Sequence, residues 1–310
     1  MNNNIKYGIV GVGHLGRFHV EQIQKIPNVT LSGVFDANLT VAKEIAAKHN
    51  TIAFKKLKKL LSVSDAVSIV VPTPFHHSVA MEALQMNCHI FIEKPITNNI
   101  KDAKEILSYA KKINKKIQVG HIEQFNPVYQ AFILKNHQPL FIESHRLAPF
   151  NIRGSDVPVV LDLMIHDIDL IISLMSEKIV NIQAAGASVI SKHIDLANAR
   201  IEFKDGAIAN LTASRIATKQ MRQMRVFEKN YYSALDFQEQ TLKVLKVDSK
   251  KQIITKNIPV FSKNALFLEL ESFIHSITNN YKTKVDGEQG LLALDVAMKI
   301  QRIIEKQPNI

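Results

Sequence analysis

The sequence predicts a doubly wound parallel α/β sheet followed by an α+β region built on a large, mostly antiparallel, open-faced sheet. Three observations predict it. Short β-branched runs alternate with amphipathic helical segments through the first 120 residues, the pattern of a parallel sheet covered on both faces. A Gly11-Val12-Gly13-His14-Leu15-Gly16 loop lies at the first strand–helix junction. After about residue 120 the pattern changes to one helix and then several alternating segments in succession, which suits an antiparallel sheet with one covered face.

In order, strands are expected over Ile5–Val10, Val29–Phe35 and residues 66–71, 89–92 and 116–119, with helices over 15–25, 39–49, 78–86 and 100–113. A helix over 161–175 opens the second part. Strands follow over 180–188, Leu196–Phe203, 207–214, 222–227 and Tyr231–Asp236, with Gly206 supplying a hairpin turn in Lys204-Asp205-Gly206. Helices over 264–280 and Gly287–Glu305 close the chain.

Composition narrows the class. At 310 residues, 46% hydrophobic and 22% charged, the chain matches a soluble globular protein with one large or two medium domains. Apolar runs such as Ile69-Val70-Val71 are too short to span a bilayer, and Asp162, His166, Asp167 and Asp169 interrupt the run over 161–175. No basic segment followed by an apolar stretch opens the chain, which argues against export. The single cysteine, Cys88, has no internal disulfide partner and suits a buried spectator in a reducing cytoplasm. The net charge of +11 invites a nucleic-acid reading. The lysines are nevertheless spread along helices and turns, in pairs such as Lys55-Lys56, Lys58-Lys59 and Lys111-Lys112, without interleaved aromatics, and the chain has no tryptophan. A solvated face accounts for them, and neither nucleic acid nor membrane is an expected partner.

The glycine loop has the context that gives G-x-G-x-x-G its meaning, a strand before it and a helix after it. Gly11 permits the tight turn, Gly13 lets backbone approach a pyrophosphate, and Gly16 allows close helix–strand packing. The helix start, with His14 and Leu15, presents unpaired N–H groups to phosphates. Asp36 ends the second strand about 20 residues further on, where an acid accepts hydrogen bonds from an adenosine ribose. A carboxylate there repels a 2′-phosphate, and no arginine follows in Asp36-Ala37-Asn38-Leu39, which favours NAD over NADP. The same position also suits an N-cap aspartate. The expected organisation is thus an NAD-binding Rossmann domain over 1–120 and a substrate-binding and oligomerisation domain over 121–310, with the C-terminal helix able to pack back on the first.

Pro72-Thr73-Pro74-Phe75-His76, Ala80, Ala83-Leu84 and Glu93-Lys94-Pro95 form one set of motifs. Residues 120–127, Gly-His-Ile-Glu-Gln-Phe-Asn-Pro, and the Asp162-x-x-x-His166 pair form another. Together, over nearly the whole chain, they resemble the glucose–fructose oxidoreductase/inositol dehydrogenase/MocA family. The resemblance implies an oxidoreductase in which Lys94 and His166 meet at the nicotinamide with Asp162 beside them. It also implies Pro72 and Thr73 lining the cofactor, His76 near the nicotinamide or ribose, and His77 as a surface neighbour. A cis Lys94–Pro95 bond and a homodimer or homotetramer formed through the open sheet face belong to the same resemblance. Glu93 either contacts the nicotinamide ribose or braces Lys94. One departure stands out: Gln124 occupies a position where relatives often carry arginine.

The chemistry of these residue types agrees. Oxidising a secondary alcohol needs a group to take the hydroxyl proton while hydride leaves, and histidine titrates near neutrality. His166 is the expected general base and Lys94 the donor that polarises the reacting oxygen, although the roles can be exchanged. Asp162, His166 and Asp169 share one helix face, at i, i+4 and i+7, whereas Asp167 points elsewhere. A metal reading of Asp162 and His166 lacks a third ligand at suitable spacing.

Within the family, residues 141–150, 161–170, 197–200 and 210–215 are similar to the branch of UDP-N-acetylglucosamine 3-dehydrogenases. That similarity implies oxidation of the sugar C3 hydroxyl to a ketone, which an aminotransferase would convert to a 3-amino sugar for lipid A. Arg146, Arg153 and Arg215 are the candidates for the diphosphate or uracil, because guanidinium forks match phosphate oxygens; the competing role for each is a sheet-surface or interface ion pair. Two other readings are a dehydrogenase or reductase of a free sugar, inositol or sugar acid, and a non-catalytic NAD-binding regulator. Lys94, Asp162 and His166 all being present argues against the regulator.

Overall fold

The computed structural model describes residues 4–151, 157–175 and 178–307. The chain forms two compact units, Met1–Ile122 with Asn264–Leu291, and Glu123–Lys263 with Leu292–Ile310. The first unit contains strands β1 (Ile5–Val10), β2 (Val29–Phe35), β3 (Ala66–Ile69), β4 (His89–Glu93) and β5 (Ile117–Gly120). Helices α1 (Gly16–Ile23), α2 (Leu39–Lys48), α3 (Leu57–Leu61), α4 (His76–Gln85) and α5 (Ile100–Lys112) connect them. All pairings are parallel, in the order β2-β1-β3-β4-β5. Continuous burial of β3 and β5 reflects cover on both faces. Helix α3 escapes a periodicity reading because only five residues carry it.

The helices end in a way that explains the abundance of asparagine. Asn38, Asn99 and Asn264 cap helix N-termini with their side chains. Asn50, Asn87, Asn114 and Asn280 take positive φ just after helix ends, the left-handed closure that asparagine tolerates better than other non-glycine residues.

The second unit contains α6 (Pro127–Phe132), β6 (Phe141–Leu147), α7 (Ile165–Leu174), β7 (Ile179–Ala187), β8 (Leu196–Phe203), β9 (Ile208–Ser214), β10 (Met221–Glu228), β11 (Tyr231–Asp236), β12 (Thr241–Val247) and β13 (Ile253–Ile258). Among the described residues its sheet runs β13-β12-β11-β10-β6-β9-β8-β7. It is antiparallel except for the β6–β9 pair. Alternate residues of β8 and β9 are buried against a core that includes Tyr129, Phe132, Ile165, Ile168, Ala297 and Ile300. Among the described residues, the alternate positions on the other face are mostly half-buried or exposed.

Two expectations need correction. The helix α8 (Ala265–Thr278), which a 121–310 domain would contain, belongs to the first unit. Its Leu270, Phe273 and Ile274, spaced i, i+3, i+4, complete the core around Tyr7, Val20 and Phe91. Phe273 meets Tyr7 and Phe91 edge-on, with ring centroids 6.4 and 6.0 Å apart. The last helix, α9 (Gly287–Glu305), contributes Ala293, Val296, Ala297, Ile300 and Ile304 to the second core. Second, the helix expected over 161–175 begins with a π-helical turn, Val160–Met164, before α7. No helix among the described residues is long and apolar enough to cross a membrane.

Candidate active site

The three glycines of the first loop do different work. Gly11 has φ +85°, and a Cβ there would lie 2.4 Å from the Val70 carbonyl oxygen. A Cβ on Gly16 would lie 1.9 Å from the Gly11 carbonyl oxygen. Both positions are glycine because protein fills the space. A Cβ on Gly13 would meet nothing within 4 Å, so this loop presents bare backbone to open space beside the start of α1. That helix start has no side-chain cap; Leu15 is exposed, and His14 Nδ1 lies 3.0 Å from Arg17 Nη2. The bare cradle and uncapped helix start fit a dinucleotide's pyrophosphate.

Asp36 borders the same loop. Its Oδ2 accepts the Val12 N–H at 2.9 Å and its Oδ1 accepts the Asn38 N–H at 2.9 Å. The carboxylate is therefore oriented by backbone on both oxygens while remaining partly exposed. Asn38, not Asp36, caps α2, which removes the capping role as the reason for the aspartate. Pro72 is exposed and Thr73 half-buried at the short 3-10 turn Thr73–Phe75 that follows β3.

Glu93, Lys94 and Pro95 follow from the end of β4, and the Lys94–Pro95 peptide is cis. His76 braces this turn. Its ring nitrogens lie 2.9 Å from the Pro95 and Val71 carbonyl oxygens, and the residue is 1% exposed. Burial holds the imidazole below its ordinary pKa despite these hydrogen bonds, so a neutral ring donates to one of the two carbonyls. These contacts tie His76 to the turn that carries Lys94. Glu93 also turns inward: Oε1 lies 3.0 Å from His19 Nε2, and Oε2 accepts the Lys94 backbone N–H at 3.3 Å. Burial alone would raise the Glu93 carboxyl, yet the His19 hydrogen bond and charge, with Lys94, hold it below the ordinary value. Of the two readings of Glu93, bracing Lys94 describes the geometry. His19 and its partner Ser68 escaped the sequence reading; the available signal was a histidine on the apolar face of α1, beside Val20 and Ile23.

In the second unit, Asp162 lies on the π turn and His166 on the first turn of α7, and both are half-buried. A π turn in a helix frequently marks a functional position. Asp169 does not join them on an open face. It is fully buried, and its Oδ2 accepts from Gln124 Nε2 at 2.9 Å. Gln124 thus meets the acid through its side-chain amide.

Two of the candidate arginines, Arg146 and Arg215, are buried among protein partners. Arg146 is 3% exposed, because Ile142, Ser144 and Arg146 occupy the inward positions of β6. Its Nε and Nη2 donate to the two oxygens of Asp167 at 3.0 and 2.8 Å, and its Nη1 donates to Glu123 Oε1 at 2.8 Å. Burial opposes the charge, but the two carboxylates raise the guanidinium above its ordinary pKa. This buried triad engages the fork that a phosphate would need. Asp167 is structural, as its position on the helix predicts. Arg215 is 4% exposed, donates from Nη2 to the Val157 carbonyl, and has Nε 3.9 Å from Asp195 Oδ1. Arg153 lies outside the described residues. Cys88 is buried, with its thiol pushed up to about 11 by desolvation, which makes it inert. His77 pairs with Glu105 at 3.2 Å on the surface.

Residues 5–121 match the model of the oxidoreductase family with an NAD-binding Rossmann fold, and residues 140–229 match the GFO/IDH/MocA C-terminal domain. The chain is 34% identical to the UDP-N-acetylglucosamine 3-dehydrogenase of Acidithiobacillus ferrooxidans over 97% of its own length and 98% of that protein. The solved structure of that enzyme superposes with a TM-score of 0.93 over 97% of this chain and 98% of the other. A myo-inositol 2-dehydrogenase of Thermotoga maritima is 24% identical over 99% of this chain and 98% of its own. The scyllo-inositol dehydrogenase of Lactobacillus casei, solved with NAD(H) and scyllo-inositol, shares the fold at a TM-score of 0.79 and 23% identity over 98% of this chain and 97% of that one. The chain belongs to the GFO/IDH/MocA oxidoreductases.

Proposed function

We propose that this oxidoreductase uses NAD to oxidise the C3 hydroxyl of UDP-N-acetylglucosamine to a ketone. The observation that carries the reading is the match to a UDP-N-acetylglucosamine 3-dehydrogenase across both units, at 34% identity over 97% of the chain. NAD supplies the hydride acceptor when bound. The backbone of Gly11, Gly13 and Gly16, with His14 and Leu15 at the start of α1, holds its pyrophosphate. Asp36 accepts from the adenosine ribose, and Pro72, Thr73 and Lys94 line the nicotinamide end. His166 takes the substrate hydroxyl proton and Lys94 donates a hydrogen bond to the oxygen as it becomes a carbonyl. Asp162 orients the substrate beside His166.

The 3-keto product calls for an aminotransferase as the next step. The open face of the eight-stranded sheet among the described residues supports pairing of copies into a homodimer or homotetramer, which light scattering on the purified protein counts. A lone buried thiol suits a cytoplasmic location.

The test is NADH formation by purified protein with UDP-N-acetylglucosamine beside UDP-glucose, glucose and inositol, with mass detection of the keto sugar because equilibrium can favour the alcohol. Turnover of UDP-N-acetylglucosamine with loss of two mass units supports the reading. Activity confined to free polyols would replace it with an inositol- or sugar-dehydrogenase function.

A further inference from the structure

We propose that His19 and Ser68 are positioning residues that hold Lys94 in place through the Glu93 carboxylate. The inference rests on the reading of Lys94 as a catalytic group. In the first unit a hydrogen-bonded chain runs from β1 through β3 and α1 to the end of β4. Tyr7 Oη lies 2.8 Å from Ser68 Oγ, Ser68 Oγ lies 3.1 Å from His19 Nδ1, and His19 Nε2 lies 3.0 Å from Glu93 Oε1. Tyr7 and Ser68 are 0% exposed and His19 is 1% exposed.

The chemistry of the groups gives the chain a direction. Burial raises the Tyr7 phenol far above its ordinary pKa, so it remains protonated and donates to Ser68. Ser68 Oγ bridges the phenol and Nδ1, and Nε2 faces Glu93 Oε1 as the hydrogen donor. Glu93 is confined on further sides: its second oxygen accepts the Lys94 N–H at 3.3 Å, and a Cβ on Gly120 would lie 2.8 Å from that oxygen. The titratable and charged groups around the carboxylate are His19 from α1, Lys94 beside it and His76 from α4, with Glu269 of α8 acting on Tyr7. An apolar side chain at position 19 would pack against Phe91, whose ring centroid is 5.4 Å from that of His19, and would need no polar partners. Three strands instead supply polar groups to a chain that ends beside Lys94.

The test compares H19L, which keeps bulk and loses both ring nitrogens, with H19Q, which keeps a donor, and with S68A. Two quantities are read: steady-state kinetics with UDP-N-acetylglucosamine, and the rate at which acetic anhydride labels Lys94 at pH 8, measured by peptide mass spectrometry against the other lysines. H19L is expected to lower kcat at least tenfold with KM for NAD within twofold, and to slow Lys94 labelling at least threefold as the released carboxylate turns to the Lys94 amine. H19Q recovers most of both, and S68A shows about a third of the loss. Unchanged kcat and labelling in a folded H19L overturn the proposal. So does a loss of kcat accompanied by a lower Tm and uniformly faster labelling of all lysines, which marks a packing role alone. If H19L does not fold, S68A and H19Q decide by the same readings. If the wild type oxidises none of the sugars, the proposed function falls, and Lys94 labelling alone decides the positioning role.

Discussion

The two units build their polar features from different materials. In the first, bare backbone at Gly13 and the uncapped start of α1 form the cradle, and the buried side chains Tyr7, Ser68 and His19 pass a hydrogen-bond chain to one carboxylate. In the second, full charges are buried together, with Arg146 between Asp167 and Glu123, while Asp162 and His166 stay half-open. A backbone cradle is specified by glycine spacing within six consecutive residues. A buried triad is specified by partners 21 and 23 residues away, and isolated arginines carry no mark of it.

The largest effect expected from this contrast is on stability. Replacing Arg146 with methionine leaves Asp167 and Glu123 as uncompensated buried carboxylates, and breaking such a cluster costs about 3–5 kcal/mol. Urea unfolding of R146M is expected to show that loss. A triple variant that also carries E123L and D167L recovers most of it, because desolvated charge and not missing volume causes the deficit. A cost below about 1 kcal/mol for R146M would mean that the triad behaves like a surface ion pair, and the contrast between the units would disappear.

His166 tests the division of labour next. H166A is expected to lower turnover by about 10²–10⁴, the range for a positioned general base, with NAD affinity by NADH fluorescence within twofold of wild type. Unchanged turnover would exclude His166 as the base and favour Lys94.

Legibility followed the same contrast. The bounds Ile5–Val10, Val29–Phe35, Leu196–Phe203, Tyr231–Asp236 and Gly287–Glu305 agree with the observed elements, because hydrophobic period and turn residues are local. Strand β6 was hidden: Ser144 and Arg146 occupy two inward positions, so alternation fails where the sheet carries its buried charge. Strand β13 was hidden for the opposite reason, since nearly all of its side chains are exposed and no face is selected for burial. Helix α8 has a readable apolar face, but which unit that face covers depends on the hole left by Tyr7 and Phe91. Of the candidate site residues, the loop glycines and Asp36 rest on spacing within a short stretch of chain. The inward turn of His76, the binding of Glu93 by His19, and the burial of Arg146 and Arg215 all depend on partners distant in sequence.

Asp195 offers a smaller, pH-dependent test within the second unit. Its Oδ2 accepts the N–H groups of Val189, Ile190 and Ser191 at 2.8, 2.7 and 2.9 Å, and its Oδ1 accepts the Ser191 hydroxyl at 2.6 Å. Burial pushes the carboxyl up, but the Ser191 hydroxyl and these backbone donors outweigh it and hold the value at about 2, below the ordinary 3.8. A depressed folded-state value means that the contribution is complete above pH 4 and is lost as pH falls toward 2. D195N is therefore expected to be about 2 kcal/mol less stable than wild type at pH 7, with the gap roughly halved by pH 3. A gap independent of pH would show that shape, not charge, makes this contact.

The smallest effect isolates the backbone cradle. A Cβ at Gly13 touches nothing within 4 Å, whereas one at Gly16 collides with the Gly11 carbonyl oxygen at 1.9 Å. G13A is thus expected to fold with a Tm within about 2 °C of wild type, since removing glycine entropy from the unfolded chain offsets little else. It is also expected to bind NAD about tenfold more weakly, a loss of about 1.4 kcal/mol, because the methyl occupies the path of the pyrophosphate. G16A loses stability first, because Gly16 is where helix and strand touch, and its weaker NAD binding follows from the displaced loop. If G13A binds NAD normally, the open space beside the loop is not the phosphate path. If G13A unfolds with G16A, the loop is a packing device throughout, and the first unit resembles the second in relying on contacts rather than on exposed backbone.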